Sequence, residues 1–115
     1  MHLRHERNGD GRVLASTVET ADSVFAQMRG LTFRRSLPDD YALVFRFDGV
    51  GARDVHMLFV FEPLDVLWLV DDEVVRIERL DPWTGMAVAD ADTLVELPAG
   101  GAEGVSVGDA VRLVE

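Results

Sequence analysis

Most of the chain consists of short runs in which apolar and polar residues alternate, the period of β-strands that bury one face. The strongest turn signal is Asn8-Gly-Asp-Gly11, and the runs on either side of it, residues 3–7 and 12–19, are predicted to pair as a hairpin. Over residues 20–30 the apolar residues follow helical spacing instead, with a threonine to cap the start and a glycine to close the end. The pattern therefore predicts strands and one short helix.

Two neighbouring runs, residues 55–61 and 64–70, are apolar on both faces, which indicates strands in the middle of a sheet. Further strands are predicted at residues 41–47, 73–80 and 93–98 and in the last residues up to Val114. We predict a mostly β (α+β) fold, a small barrel- or sandwich-like sheet of about seven or eight short strands with one short helix near residues 20–30. A chain of 115 residues suits one domain, residues 1–115.

The charge balance narrows the choice of partners. The formal net charge is −10, from 21 acidic residues against 11 basic ones, and every basic residue is arginine. Such an acidic surface suits a salt-rich, halophile-like cytoplasm, although GC-rich coding would also favour arginine over lysine. Clustered positive charge is what binds nucleic-acid phosphates and anionic membranes, so we expect neither partner. The predicted partner is a small molecule or a protein, and the predicted state is a monomer or weak dimer.

Several kinds of chemistry are excluded or lack a signal. The chain has no cysteine, which excludes disulfides, thiolate metal sites and thiol nucleophiles. His2 and His5 are three residues apart near a terminus but lack a third ligand, so we predict no metal site, and no motif predicts a cofactor. The charged start and the lack of a long apolar run predict a soluble, cytoplasmic protein without a signal peptide.

His56 is the first candidate for a functional residue. It shares a predicted strand face with Leu58 and Val60, so we expect it to point into apolar surroundings. One interpretation is a core histidine with a satisfied hydrogen bond. The other is a ligand contact or a general base, because the pKa of an imidazole is readily tuned.

Asp65 is the second candidate, because a carboxylate in an apolar run is costly unless it accepts hydrogen bonds. It either ties down the corner at Glu62-Pro63 or contacts a ligand. If residues 55–61 and 64–70 pair as a hairpin, four residues of strand separate it from His56, roughly 13 Å. The two side chains are then too far apart for a catalytic dyad.

Arg34, Glu96 and Trp83 complete the candidate set. One interpretation is that Arg34 and Glu96 form an internal ion pair. The other is that Arg34 binds a carboxylate or phosphate ligand. Trp83 lies in a polar loop, where its ring either stacks on a ligand or covers the core.

Four short motifs resemble a known family when they are taken in order. They are Gly30-Leu-Thr-Phe-Arg34, Pro63-Leu-Asp-Val-Leu67, Glu96-Leu-Pro-Ala-Gly100 and Gly108-Asp109. Together they resemble domain of unknown function 192, an uncharacterised protein family. The resemblance implies a compact, mostly β domain with one helix and supplies no activity. Many relatives have a polar run after the position of His56, where this chain is apolar.

The leading hypothesis is a non-catalytic small-ligand-binding or accessory domain, with a shallow pocket near His56, Asp65, Arg34, Glu96 and Trp83. One alternative is a hydrolase-like enzyme that uses His56 as general base. The other is a protein-interaction module that presents an exposed sheet face.

Overall fold

The computed structural model describes residues 1–21 and 37–115, and all regular structure in these two segments is β-strand. The strands are β1 (His2–Arg7), β2 (Asp10–Ala15), β3 (Thr17–Ala21), β4 (Tyr41–His56), β5 (Leu64–Val70), β6 (Glu73–Leu80), β7 (Met86–Pro98) and β8 (Ala110–Val114). The predicted mostly β class is confirmed, and these eight strands agree with the predicted number.

The strands form one sheet in the order β2-β1-β8-β6-β5-β7-β4-β3. All neighbours are antiparallel except β3 and β4, which run parallel. The predicted hairpin of β1 and β2 is confirmed. The sheet is open, because β2 and β3 lie at its two edges and do not pair with each other. The barrel- or sandwich-like arrangement that we predicted is therefore not supported.

The predicted helix near residues 20–30 begins on residues that belong to a strand. Thr20 and Ala21 end β3, where they pair with Val44 and Phe45 of β4. The hydrogen bonds between β3 and β4 thus outweigh the tendency of Thr20 to cap a helix. The rest of the predicted helix lies outside the described residues, and none of the described residues forms a helix that could cross a membrane.

The predicted strand over residues 12–19 is divided at Ser16 into β2 and β3. The backbone N–H groups of Ser16 and Thr17 both donate to the carbonyl oxygen of Asp40, each at 3.0 Å. Their hydroxyl groups donate to its carboxylate, each at 2.7 Å. The hydrogen bonds from Thr17 and Ser16 lower the pKa of Asp40. This junction takes the chain from its pairing with β1 to its pairing with β4.

Residues 55–61 do not form the predicted central strand, and they do not pair with residues 64–70 in the hairpin that was considered for them. β4 ends at His56, and β5 pairs with β6 and β7. The N–H of Val60 donates to the carbonyl of Met57 at 2.9 Å, and Phe59 has a left-handed backbone with φ 63°. These apolar residues therefore form a turn, and Met57 and Val60 are buried beneath it.

Apolar side chains cover both faces of the sheet. Along β5, Val66 and Trp68 point to one face, here called the Trp68 face, and Leu67 and Leu69 point to the other, the Leu67 face. The Leu67 face packs against residues of β1 and β8, including Leu3. Because both faces of β5 are buried, the prediction of a central strand at residues 64–70 is confirmed.

The outer part of the β4–β7 hairpin folds back over the Trp68 face. The register of β4 and β7 is irregular between Arg46 and Gly51, which allows the bend. The indole Nε1–H of Trp68 donates to the carbonyl oxygen of Arg53 in this outer part at 2.8 Å. Arg76 of β6 likewise donates from Nη1 to the carbonyl oxygen of Val88 at 2.6 Å.

Candidate functional site

The two acidic candidates, Asp65 and Glu96, lie on opposite faces of the sheet. In the pairing of β5 with β7, Asp65 is opposite Leu97 and Val66 is opposite Glu96. Because successive side chains of a strand alternate, Asp65 points to the Leu67 face and Glu96 to the Trp68 face. Both are buried, with 5% and 7% of their surface exposed. The structure therefore does not bring them into one pocket.

The carboxylate of Asp65 is fully engaged by the protein. Oδ1 accepts from Nε of Arg79 at 2.8 Å, and Oδ2 accepts from Nη2 of Arg79 at 3.3 Å. Oδ2 also accepts from the N–H groups of Gly100 and Ala102 at 2.9 and 3.1 Å. Burial raises the pKa of Asp65, but these hydrogen bonds outweigh it and hold the pKa below its usual range.

Asp65 therefore fastens the turn at residues 99–102 to β5 and β6. One interpretation of the sequence was that Asp65 ties down the corner at Glu62-Pro63, but its carboxylate binds Arg79 and the N–H groups of Gly100 and Ala102. That corner is held by the backbone instead, since the N–H of Ala99 donates to the carbonyl oxygen of Pro63 at 3.3 Å. Arg79, the ion-pair partner of Asp65, was not singled out from the sequence.

Glu96 has an unusual environment for a carboxyl group. It is flanked across the strands by Leu43 and Val66, on a face whose buried cluster also contains Trp68. Burial raises its pKa to about 7. Among the described contacts its carboxyl has no hydrogen-bond or ion-pair partner. Arg34, the predicted partner, lies outside the described residues.

His56 lies exposed at the end of β4, opposite Met86. The expectation of apolar surroundings is wrong, because the strand ends at His56 and Leu58 does not continue its face. Leu58 is itself 52% exposed. A role for His56 in ligand binding stays a prediction.

Trp83 is 44% exposed in the loop between β6 and β7. Its ring meets Phe59 edge to face, with centroids 5.2 Å apart, and Phe61 in the same manner at 5.4 Å. The backbone N–H of Trp83 donates to the carbonyl oxygen of Met57 at 3.0 Å, which joins the two loops. Trp83 thus belongs to an aromatic cluster that the sequence did not predict.

A polar cluster that the sequence did not predict lies beside the first hairpin. The carboxylate of Asp109 accepts from His5 Nε2 at 2.8 Å and from the N–H of Ser106 at 2.8 Å. It also accepts from Arg7, with Nε at 3.0 Å and Nη2 at 2.8 Å. These hydrogen bonds, those from Arg7 and His5 foremost, hold the pKa of Asp109 far below its usual range.

The hydrogen bonds assign the tautomer of the buried His5 ring. Nδ1 accepts from Nε of Arg12 at 3.0 Å, so it carries no proton. Nε2 therefore carries the proton that it donates to Asp109. His5 is a neutral link between Arg12 and Asp109, with both ring nitrogens engaged.

A cavity of about 360 Å³ opens beside this cluster. We call it the amino-terminal cleft, and its lining residues are His5, Arg7, Asn8, Asp10, Gly11 and Arg12. The hairpin register explains the convergence, because His5 is directly opposite Arg12 and Arg7 is opposite Asp10. Residues two apart on a strand share a face, so all four side chains project to the same side.

The fold is that of a mostly β protein built on one open sheet. The chain belongs to the family domain of unknown function 192, described as "Uncharacterized ACR", whose model matches residues 5–113. This agrees with the resemblance in its motifs. The family description gives no activity.

Two solved structures share the fold. A proposed transcription regulator from Sinorhizobium meliloti 1021 is 27% identical with a TM-score of 0.86, over 96% of this chain and 91% of that one. A protein of unknown function from Novosphingobium aromaticivorans is 22% identical with a TM-score of 0.84, over 97% of this chain and 84% of that one. The second likeness shows the fold alone. No curated protein matches the chain.

Proposed function

We propose that the chain, as one domain over residues 1–115, is a non-catalytic binding domain for a small oxyanion, a carboxylate or a phosphate. The observation that carries the proposal is the amino-terminal cleft, where two ordered guanidinium groups line one cavity. Its volume of about 360 Å³ falls in the range of small-molecule sites. Planar guanidinium groups match the geometry of carboxylate and phosphate oxygens.

Both arginines are held in place by the protein itself. Beyond its bonds to Asp109, Arg7 donates from Nη2 to the carbonyl oxygen of Gly104 and to Ser106 Oγ, each at 2.7 Å. Arg12 donates from Nε to His5 and from Nη2 to the carbonyl oxygen of Glu103. Among the described contacts, Nη1 of neither arginine has a partner. Each guanidinium group thus keeps an N–H donor for a ligand. Its side chain is already ordered in the folded protein, so binding costs little further side-chain entropy.

The charges around the cleft limit the expected affinity. The charge of Arg7 is matched by Asp109, whereas the hydrogen bonds of Arg12 go to the neutral His5 ring and a carbonyl group. The carboxylate of Asp10 also lines the cleft and repels an anion. We therefore expect modest affinity that depends on Arg12 and is weakened by Asp10.

The engaged histidine argues against catalysis in the cleft. Neither ring nitrogen of His5 is available to take a proton from a substrate. His56, the general base of the hydrolase hypothesis, is exposed, and no carboxylate orients its ring among the described contacts. We therefore favour binding without turnover.

The proposal is tested by thermal unfolding in phosphate and in chloride at equal ionic strength. Phosphate at ~100 times its dissociation constant should add about 2.7 kcal/mol to the stability of the wild type. Arg12→Gln should lose this stabilisation. Arg112→Gln, which removes an exposed arginine of β8 with the same change of charge, should keep it. Equal stabilisation in all three proteins would indicate a general salt effect and overturn the proposal, as would none in the wild type.

Asp10→Asn gives a second test of the same site. The substitution removes the repelling carboxylate from the cleft, so phosphate should bind more tightly. If the cleft is only part of the scaffold, this variant should leave the response to phosphate unchanged. Isothermal titration calorimetry with inorganic phosphate measures the difference directly.

The proposed regulatory role of the Sinorhizobium meliloti relative is compatible with a ligand-sensing domain. The net charge of −10 opposes direct contact with nucleic-acid phosphates. A regulatory role for this chain would therefore run through a small ligand or a protein partner.

We also propose that the protein works in a salt-rich cytoplasm. The support is its charge of −10 over 115 residues, which repels itself when salt does not screen it. We expect unfolding or aggregation below roughly 0.5 M salt. Full stability in dilute buffer, measured by circular dichroism and chromatography, would contradict the proposal.

A further inference from the structure

We propose that an exposed aromatic surface binds a cationic, partly apolar segment of a partner protein. The aromatic surface consists of Leu58, Phe59, Phe61, Trp83 and Met86, from the loop after β4 and the loop before β7. It shares no residue with the amino-terminal cleft. The inference is therefore independent of the proposed oxyanion site.

Large apolar side chains are exposed together on this surface. Met86 is 75% exposed, Leu58 52%, Trp83 44% and Phe59 40%. The two loops are joined by backbone hydrogen bonds, because the N–H of Met57 donates to the carbonyl of Gly85 at 2.9 Å. Exposed large apolar side chains in two adjoining loops mark contact sites in soluble proteins.

The backbone holds two of these rings in an unfavourable conformation. Phe59 and Trp83 have left-handed backbones, with φ of 63° and 68°. Bulky side chains rarely adopt this region, and such strain is found mainly at functional sites. The rings contact each other edge to face at 5.2 Å, which fixes their orientation. The loops thus present ordered rings to solvent at a cost in stability.

The charges around the surface identify the chemistry of the partner. Residues 54–62 and 81–90 contain four acids, Asp54, Glu62, Asp81 and Asp90. Two arginines lie beside them, because Arg53 precedes Asp54 and Arg76 donates to the carbonyl oxygen of Val88, so the acids outnumber the cations. Aromatic faces attract cations, and carboxylates around them add to the attraction. A segment that carries arginine or lysine between apolar residues therefore fits the surface. A second copy of this chain fits poorly, because it would bring the same acids together.

The two tryptophans allow a direct test. Trp68 is fully buried and Trp83 is exposed, so acrylamide, a neutral quencher, reports on Trp83. We would titrate the protein with a ten-residue peptide that alternates leucine and arginine, and with its leucine–glutamate counterpart. The arginine peptide should bind and protect the tryptophan fluorescence from acrylamide. Absence of binding, or equal binding of the glutamate peptide, would overturn the proposal.

Matched variants separate this surface from the general acidity of the chain. Asp54→Asn with Asp81→Asn should weaken binding of the labelled arginine peptide, followed by anisotropy, about fivefold. Asp71→Asn with Asp72→Asn makes the same change of charge at the turn between β5 and β6 and should have little effect. Equal weakening in both double variants would show only non-specific attraction and overturn the proposal.

Ring removal gives the final control. Asparagine adopts the left-handed backbone more readily than an aromatic residue, so Phe59→Asn and Trp83→Asn should fold. Each should weaken peptide binding at least about tenfold while the variant still unfolds in one cooperative transition. Folded variants that bind the peptide as well as the wild type would overturn the proposal.

Discussion

Replacement of Glu96 by glutamine should make the protein more stable relative to the wild type as the pH rises from acid to neutral. The carboxyl of Glu96 is buried among apolar side chains, and burial raises its pKa from an ordinary 4.5 to about 7. Each pH unit of difference between the folded and unfolded pKa corresponds to about 1.4 kcal/mol. The difference of about 2.5 units amounts to roughly 3 kcal/mol.

The sign follows from which state ionises first. Below the ordinary pKa of 4.5 the carboxyl is protonated in both states, and its titration does not favour unfolding. As the pH rises from 4.5 to about 7, the unfolded chain ionises while the folded protein stays neutral, so stability falls. Above about pH 7 both states are ionised and the full loss persists. Glutamine cannot ionise, so Glu96→Gln lacks this loss.

The assay is urea unfolding of the wild type and Glu96→Gln at pH 4.5 and pH 8 in the same salt. A glutamine amide in the same place adds a constant that does not vary with pH, so the observable is the change in the difference between the proteins. We expect that difference to move by about 3 kcal/mol in favour of Glu96→Gln as the pH rises. Glu73→Gln removes an exposed carboxyl of β6 and should show no such change. A difference that stays constant with pH would refute the reasoning, since it would mean that the charged form of Glu96 is solvated or paired.

Three further predictions concern individual contacts. Asp65→Ala should lower the free energy of unfolding by about 2–4 kcal/mol, because the buried N–H groups of Gly100 and Ala102 lose their acceptor. Arg79→Gln should lower it by less than about 1 kcal/mol, because the Arg79 side chain is 60% exposed. Equal losses in chemical unfolding would contradict this account. His56→Ala should change the stability by less than about 0.5 kcal/mol, and a clearly larger loss would restore the core-histidine interpretation. Asp109→Asn should lower the free energy of unfolding at neutral pH. The difference from the wild type should shrink as the pH falls below 3.8, because a carboxylate with a depressed pKa stabilises the folded protein only while it is ionised. A deficit that does not depend on pH would contradict that sign.

The turns and the strand content could be predicted because their signals are local. Asn8-Gly9 has the left-handed backbone that a tight hairpin turn requires, with φ of 51° and 85°. Asp71 and Asp72 form the turn between β5 and β6 with the same left-handed backbone, with φ of 50° and 66°. These residue types tolerate that conformation, so the two hairpins follow from a few neighbouring residues.

Pairing between distant strands could not be predicted in the same way. Residues 55–61 are apolar enough for a central strand, but only the first two belong to β4. The next residues turn over the core, and β7, more than twenty residues later, pairs with β5 instead. An apolar run indicates burial and does not distinguish a strand from a buried turn. The expected position of His56 failed for this reason.

The candidate site shows the same limit at the level of side chains. Burial of Asp65 and Glu96 could be anticipated from their apolar neighbours, and both are buried. The polar cluster beside the amino-terminal cleft was missed because His5 and Asp109, which form a hydrogen bond in it, are 104 residues apart. The one local signal was the hairpin, which places His5 opposite Arg12. Once that register is known, strand geometry alone places the side chains of His5, Arg7 and Arg12 on the same side of the hairpin.

The two buried acids also help to explain why β5 and β7 pair in one register. A slip by one residue would place Asp65 directly opposite Glu96 on the same face, with their Cβ atoms about 5 Å apart. Two carboxyl groups at that distance in a buried sheet cannot both ionise without a large electrostatic penalty, and Arg79 could pair with only one of them. The slip would also remove Asp65 from the N–H groups of Gly100 and Ala102 and leave them without their acceptor. Leucine and valine at the neighbouring positions would tolerate either register, so the polar residues discriminate against the alternative pairing.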